Sequence, residues 1–173
     1  MPKASQYAAI ELLRNGRPIE IRALRPDDRA GLLEAVGHIS PQSLYRRFFS
    51  PKRSFTEDEV AYFTTVDFVR HVALVAVVDE GGRSAIVGGA RYIVVKPASA
   101  EMAFAVVDQY QGQGIGALLL RHLAATAGNA GIEELTAEVL ADNHSMLRVF
   151  QKSGYRLATK REAEVVHVTL GLL

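Results

Sequence analysis

The chain has 173 residues, 49% of them apolar and 23% charged, which suits one globular unit and argues against extensive disorder or fibrous repeats. Twenty basic residues against nineteen acidic ones leave a net charge of +1, so the broad positive footprint of a nucleic-acid or anionic-membrane binder is missing. The absence of cysteine excludes disulfides, thiolate metal ligands and a cysteine nucleophile.

No run approaches the ~20 apolar residues that cross a bilayer. The N-terminus carries Glu11 and no small-residue cleavage site after an apolar region, so a cytoplasmic location is expected. The five histidines are never closer than 22 residues, which leaves no helical ligand pair and no expected metal site. Residues 1–173 are expected to form a single domain, with 1–16 as an N-terminal extension.

From Pro18 the chain alternates Ile19, Ile21 and Ala23 against Glu20 and Arg22, the pattern of a half-buried first strand. Asp27 and Asp28 open a helix with Leu32, Leu33 and Val36 at helical spacing, ending near Gly37. Ser40-Pro41 begins a short helix with Leu44, Tyr45, Phe48 and Phe49, whose Arg46 and Arg47 read as its solvated face or as the lining of a peptide or acidic-substrate groove. Thr56 and Glu59 have capping-box spacing ahead of a further helix to about Thr65.

Residues 70–95 change character. Two β-branched runs flank the turn Glu80-Gly81-Gly82-Arg83, which predicts a hairpin. Gly88-Gly89 in the second arm suggests a bulge or a close approach of another backbone or a ligand. A further strand begins near Ala100, and a long helix carries Ile115, Leu118, Leu119, His122 and Leu123 on one face. A strand with Leu135, Ala137 and Val139 inward follows. Asp142 or Asn143 then caps a helix bearing Met146, Leu147, Val149 and Phe150, closed by Lys152 and Gly154. Two strands, near 154–160 and 163–171, finish the chain.

The segment Val106 to Ala117, VVDQYQGQGIGA, carries the chemistry. A strand runs into Gly112, Gly114 and Gly116 directly before a helix N-terminus. Unpaired backbone N–H groups and the positive end of the helix dipole make a phosphate site there, and glycines let phosphate oxygens approach without Cβ atoms in the way. The same residues formally satisfy the dinucleotide fingerprint as Gly112-x-Gly114-x-x-Ala117. That motif belongs in a parallel sheet of repeated βαβ units, whereas this loop follows a hairpin, so a nicotinamide cofactor is set aside.

Gln111-Gly112-Gln113-Gly114-Ile115-Gly116 fits the pattern Gln/Arg-x-x-Gly-x-Gly/Ala, and here the chain resembles the GNAT superfamily of acyl-CoA-dependent N-acyltransferases. ADNHSMLRVFQKSGYR at 141–156 resembles the second signature of that superfamily. ISPQSLYRRFFS at 39–50 and AEMAFAVVD at 100–108 are similar to the acetyltransferase domain of Pat-type bacterial protein lysine acetyltransferases.

The resemblance implies an α/β (α+β) fold, with a mixed, mainly antiparallel sheet of about seven strands flanked by helices and splayed between its fourth and fifth strands. It implies acetyl-CoA as cosubstrate and a protein lysine or small amine as acceptor; from the charge balance and the lack of a long apolar run, neither nucleic acid nor membrane is expected as partner. Gln111, Gly112, Gln113, Gly114, Ile115 and Gly116 would wrap the pyrophosphate. Val106 and Val107 would offer backbone groups to the pantetheine and acyl oxygen, and Asn143, with Met146 and Phe150 on its helix, would contact the coenzyme.

Glu101 would be the general base, and alternation puts it on one side of its strand with Ala103 and Ala105. Many relatives place a tyrosine seven residues after the asparagine as proton donor to the leaving thiolate, and this chain has Phe150 there. Water, Ser145, His144 or unaided thiolate release remain for that step. A non-catalytic acyl-CoA sensor is the alternative from another functional class.

Overall fold

A computed structural model of the protein describes residues 3–40 and 56–173. In chain order the elements are β1 (Ala8–Leu12), β2 (Pro18–Ala23), α1 (Arg29–Val36), α2 (Glu57–Thr64), β3 (His71–Glu80), β4 (Arg83–Lys96), β5 (Ser99–Val106), α3 (Ile115–Asn129), β6 (Glu134–Leu140), α4 (His144–Gln151), β7 (Arg156–Glu162) and β8 (Val165–Gly171). The strands form one eight-stranded sheet in the order β1-β2-β3-β4-β5-β6-β8-β7. Among the described strands only β5 and β6 run parallel, joined by the crossover helix α3.

Among the described residues the sheet has eight strands, in keeping with the expected number of about seven. Within residues 1–16, expected as an extension, Ala8–Leu12 pair antiparallel with β2, Ala8 opposite Arg22 and Leu12 opposite Pro18. The short apolar run Ala8-Ala9-Ile10 gives little alternation to read, which is why the strand escapes the sequence pattern. The helix expected from Ser40-Pro41, with Arg46, Arg47, Phe48 and Phe49, lies outside the described residues.

The strand β3 is buried from His71 to Val78 because helices cover both faces of the sheet there. Val72, Leu74, Ala76 and Val78 join the main core beneath α3, where Leu119 and Leu123 are fully enclosed. Ala73, Val75 and Val77 pack on the other face with Leu24 and Leu32. Truncating a leucine such as Leu119 to alanine in such a core costs about 2–5 kcal/mol.

Capping follows the sequence signals. Thr56 Oγ1 accepts from Glu59 N–H at 3.1 Å while the Glu59 carboxylate accepts from Thr56 N–H, closing the capping box of α2. The start of α1 is fixed by a buried ion pair, Arg22 to Asp28, with guanidinium–carboxylate distances of 2.8 and 2.9 Å. The edge strand β7 is exposed at every position and carries Arg156, Lys160, Arg161 and Glu162, charges that discourage further strand pairing.

Candidate active site

The parallel ladder between β5 and β6 is short. It pairs Ser99 with Glu134, Ala100 with Leu135 and Glu101 with Thr136, and there it ends, although both strands continue. On its other side β5 stays paired with β4 as far as Val106 opposite Gly88. The Val107 N–H donates to Val87 at 2.8 Å, so in antiparallel alternation the odd-numbered residues 103–107 spend their backbone groups on β4. The backbone groups of Met102, Phe104 and Val106 therefore face the gap toward β6. The Val106 carbonyl accepts from Gln111 Nε2 at 3.1 Å, which ties the strand end to the following loop.

Strand β4 brings that end of β5 close to α3. Its register slips so that Ala76 pairs with Gly88 but Val77 with Ile86, a bulge at Val87. A Cβ on Gly88 would meet Ala105 O at 3.1 Å, Ile115 Cγ2 at 3.3 Å and Leu119 Cδ1 at 3.4 Å, so the helix rests on bare backbone. The two alternatives read from the glycine pair, a bulge or a close approach, occur side by side: the bulge at Val87 and the close contacts at Gly88.

The loop into α3 is shaped by left-handed backbone at Gly112 (φ 78°) and Gly114 (φ 91°). Among the described residues, the N–H groups from Gly112 to Ala117 make no hydrogen bond; the first one taken is that of Leu118, which donates to Gly114. The glycines set no Cβ of their own beside them: Gly112 has open space on its side-chain side, and a Cβ on Gly116 would come no nearer than 3.7 Å to Val149 on α4. A row of free donors at the positive end of a 15-residue helix suits the phosphates of a coenzyme.

These parts border one cleft of about 970 Å³, within the size range of ligand sites. Glu101, Val106, Val107, Gln111, Gly112, Gln113, Gly114, Ile115, Gly116, Asn143, Met146 and Phe150 all line it. Glu101 is exposed and stands where the β5–β6 ladder stops, with Ala103 and Ala105 beyond it on the same face. Val107 takes part as wall rather than donor, since its N–H is held by Val87. Asn143 caps α4 by accepting from Met146 N–H at 3.3 Å. Phe150 is buried and meets Phe104 edge-to-face at 6.1 Å, so its ring is part of the core floor. Ser145 lines the cleft, and so does Tyr155, a hydroxyl that the sequence pattern marks only as the aromatic after Gly154.

Arg91 and Phe63 line the Glu101 end. The Arg91 guanidinium lies 4.7 Å from the Phe63 ring centroid and donates to the Phe63 carbonyl and, at 2.9 Å, to His71 Nε2. Burial, then the neighbouring Arg91 charge, lowers the His71 pKa to about 4, so this imidazole is neutral near pH 7.

The opposite end is bordered by the N-terminal hairpin. Glu11 accepts from His122 Nε2 at 2.8 Å and from Arg121, while Tyr7 donates to His122 Nδ1. The Glu11 carboxyl is held below its usual range by the Arg121 bond first and His122 second. His122, expected on the apolar face of the long helix, is thus the anchor of β1 on α3. Among the described residues no three acidic or histidine side chains gather to hold a metal ion.

The profile of the Acetyltransferase (GNAT) family matches residues 40–155. The chain belongs to the GNAT acetyltransferase family. It is 33% identical over 144 residues to acetyltransferase Pat of Mycolicibacterium smegmatis, covering 82% of this chain and 42% of that protein. It is 30% identical over 151 residues to acetyltransferase PA5475 of Pseudomonas aeruginosa, covering 83% of this chain and 81% of that protein.

The solved GNAT domain of S. lividans PAT superposes with a TM-score of 0.85 at 34% identity, over 95% of this chain and 96% of that one. The expected GNAT fold and the likeness to Pat-type domains are both found, and the chain is an acyltransferase. Of the Pat-like wording at 39–50, only Ile39 and Ser40 fall within the described residues. Among those residues no helix is long and apolar enough to cross a membrane.

Proposed function

We propose that the protein transfers the acetyl group of acetyl-CoA directly to a primary amine, and that the amine is a protein lysine side chain. The observation that carries this is the opening of one cleft onto two different chemistries: free N–H donors from Gly112 to Ala117 at one end, and the carboxylate of Glu101 at the other. The lysine acceptor is supported by the likeness to Pat-type domains, one of them in a protein of which this chain spans less than half.

Acetyl-CoA is the acyl donor. Its pyrophosphate fits the loop 111–116, and its pantetheine amides find the Met102, Phe104 and Val106 backbone groups facing the gap between β5 and β6. With no cysteine and both ligands meeting in one cleft, the amine attacks the thioester carbonyl carbon directly; the C–N bond forms, the C–S bond breaks and CoA leaves as the thiolate. Glu101 takes the proton from the ammonium, directly or through water, so that the attacking nitrogen has its lone pair. The Val106 N–H points to the gap where a carbonyl oxygen can be held as its charge grows. Phe150 cannot protonate the thiolate, which leaves that proton to solvent or to the Ser145 and Tyr155 hydroxyls at the cleft wall.

The test is mass spectrometry of lysate proteins incubated with isotope-labelled acetyl-CoA and the purified chain. Labelled lysines that vanish with the Gly114→Val variant are the expected result. Thiol release with small amines and no labelled protein would overturn the lysine assignment. CoA binding with no thiol release from any amine would overturn the enzyme mechanism in favour of a sensor.

A further inference from the structure

One cation outside the glycine motif points at it. Arg14 belongs to the turn between β1 and β2, and a Cβ on Gly114 would lie 3.6 Å from Arg14 Nε, nearer than to any other side chain. Arg14 lines the same cleft as the loop. Its exposed guanidinium makes no hydrogen bond or ion pair among the described residues. The neighbouring arginines are engaged: Arg17 donates to Tyr110 at 3.1 Å and to the Asp79 carbonyl at 2.6 Å, and Arg121 bonds Glu11. An unpaired guanidinium beside a row of unpaired N–H groups concentrates donors where no acceptor stands, an arrangement completed by an anion.

The turn that presents Arg14 is rigidly held. Leu13 is 4% exposed in the core, its N–H donates to Arg17 at 2.8 Å, and Gly16, left-handed at φ 83°, donates back to Leu13 at 2.8 Å. Glu11, two residues before Leu13, fixes the strand to α3 through Arg121 and His122. Ordering Arg14 over the loop therefore costs little backbone entropy.

We propose that Arg14 binds the coenzyme pyrophosphate, which makes the N-terminal hairpin part of the coenzyme site. This rests on the acetyl-CoA reading above. Its position over Gly114 assigns it to the pyrophosphate rather than the 3′-phosphate, whereas Arg148 and Lys152 line the cleft from α4, the helix that supplies Val149 beside Gly116.

Isothermal titration of the full chain with CoA and with dephospho-CoA tests it. Arg14→Ala is expected to weaken both ligands alike, by about tenfold, as loss of a charge-assisted contact does. Its ligand-free melting temperature should match wild type, since the side chain has no bond to lose. Arg14→Lys should recover part of the affinity by restoring charge without the planar fork. Weakening of CoA but not of dephospho-CoA would overturn the pyrophosphate assignment, and unchanged affinity for both would overturn the role of Arg14 alone. A wild-type chain that binds neither ligand would overturn the coenzyme reading, and the role of Arg14 with it.

Discussion

The N–H of Val107 donates to the carbonyl of Val87 at 2.8 Å, across a bulge in β4. That bond sets which backbone groups of β5 stay in the sheet and which turn toward the cleft. Shifting β5 by one residue would exchange the two sets and rotate Glu101, Ala103 and Ala105 to the face under α3.

Gly88 is the point where this register is most easily disturbed. In Gly88→Ala the new Cβ would press on Ala105 O, Ile115 and Leu119. Overpacking of that kind is expected to lower the unfolding free energy by about 1–3 kcal/mol. Urea denaturation followed by circular dichroism measures it, and an unchanged midpoint would show that β4 and α3 separate without cost.

Glu101→Gln keeps the size of the side chain and removes its basicity. At pH 7, kcat/KM for the acceptor amine should drop by about 10²–10⁴, the usual worth of a positioned base. Coenzyme affinity should be unchanged, because the loop at Gly112–Gly116 does not involve Glu101. Wild-type kcat/KM across the pH range would remove Glu101 from the chemistry.

Asp28→Asn leaves the Arg22 guanidinium buried with its bidentate partner neutralised. Both residues are 8% exposed, and breaking a pair so placed costs about 3–5 kcal/mol. Thermal unfolding of Asp28→Asn and of the double variant Arg22→Met/Asp28→Leu separates lost attraction from stranded charge. The double variant should be the more stable of the two.

His71 ties stability to pH. Its folded pKa, about 4, lies below the ordinary histidine value near 6.5, so the unfolded chain binds the proton more readily. Its contribution is complete above about pH 6.5 and diminishes as pH falls toward 4. Asp67 accepts backbone N–H bonds from Val69, Arg70 and His71, and the His71 bond foremost holds its carboxyl below the usual range, so Asp67 loses its own contribution only at lower pH still. In His71→Gln the fall in melting temperature between pH 6.5 and 4 should be shallower than in wild type.

Much of this was readable from residue order. The β-branched run at 72–78 is a central strand, Thr56 and Glu59 form their capping box, and Gly112, Gly114 and Gly116 shape the turn into α3. These features act over a few residues, so local pattern carries them. Arg14 was not legible, because its significance comes from a contact with Gly114 across a hundred positions, made by a strand too short to show alternation. The engagement of Val107 was equally hidden: the two valines differ only in strand parity, which a bulge at Val87 fixes.

The short β5–β6 ladder has a consequence for how the site can change. The polar atoms that it leaves facing the gap at Met102, Phe104 and Val106 belong to the main chain, and every residue type except proline carries the same pair. Substitution along this stretch can alter the width and greasiness of the channel while its donors and acceptors stay in place. On the proposed coenzyme reading, acyl-chain selectivity can therefore drift through side chains while the main-chain groups proposed to meet the pantetheine amides stay in place.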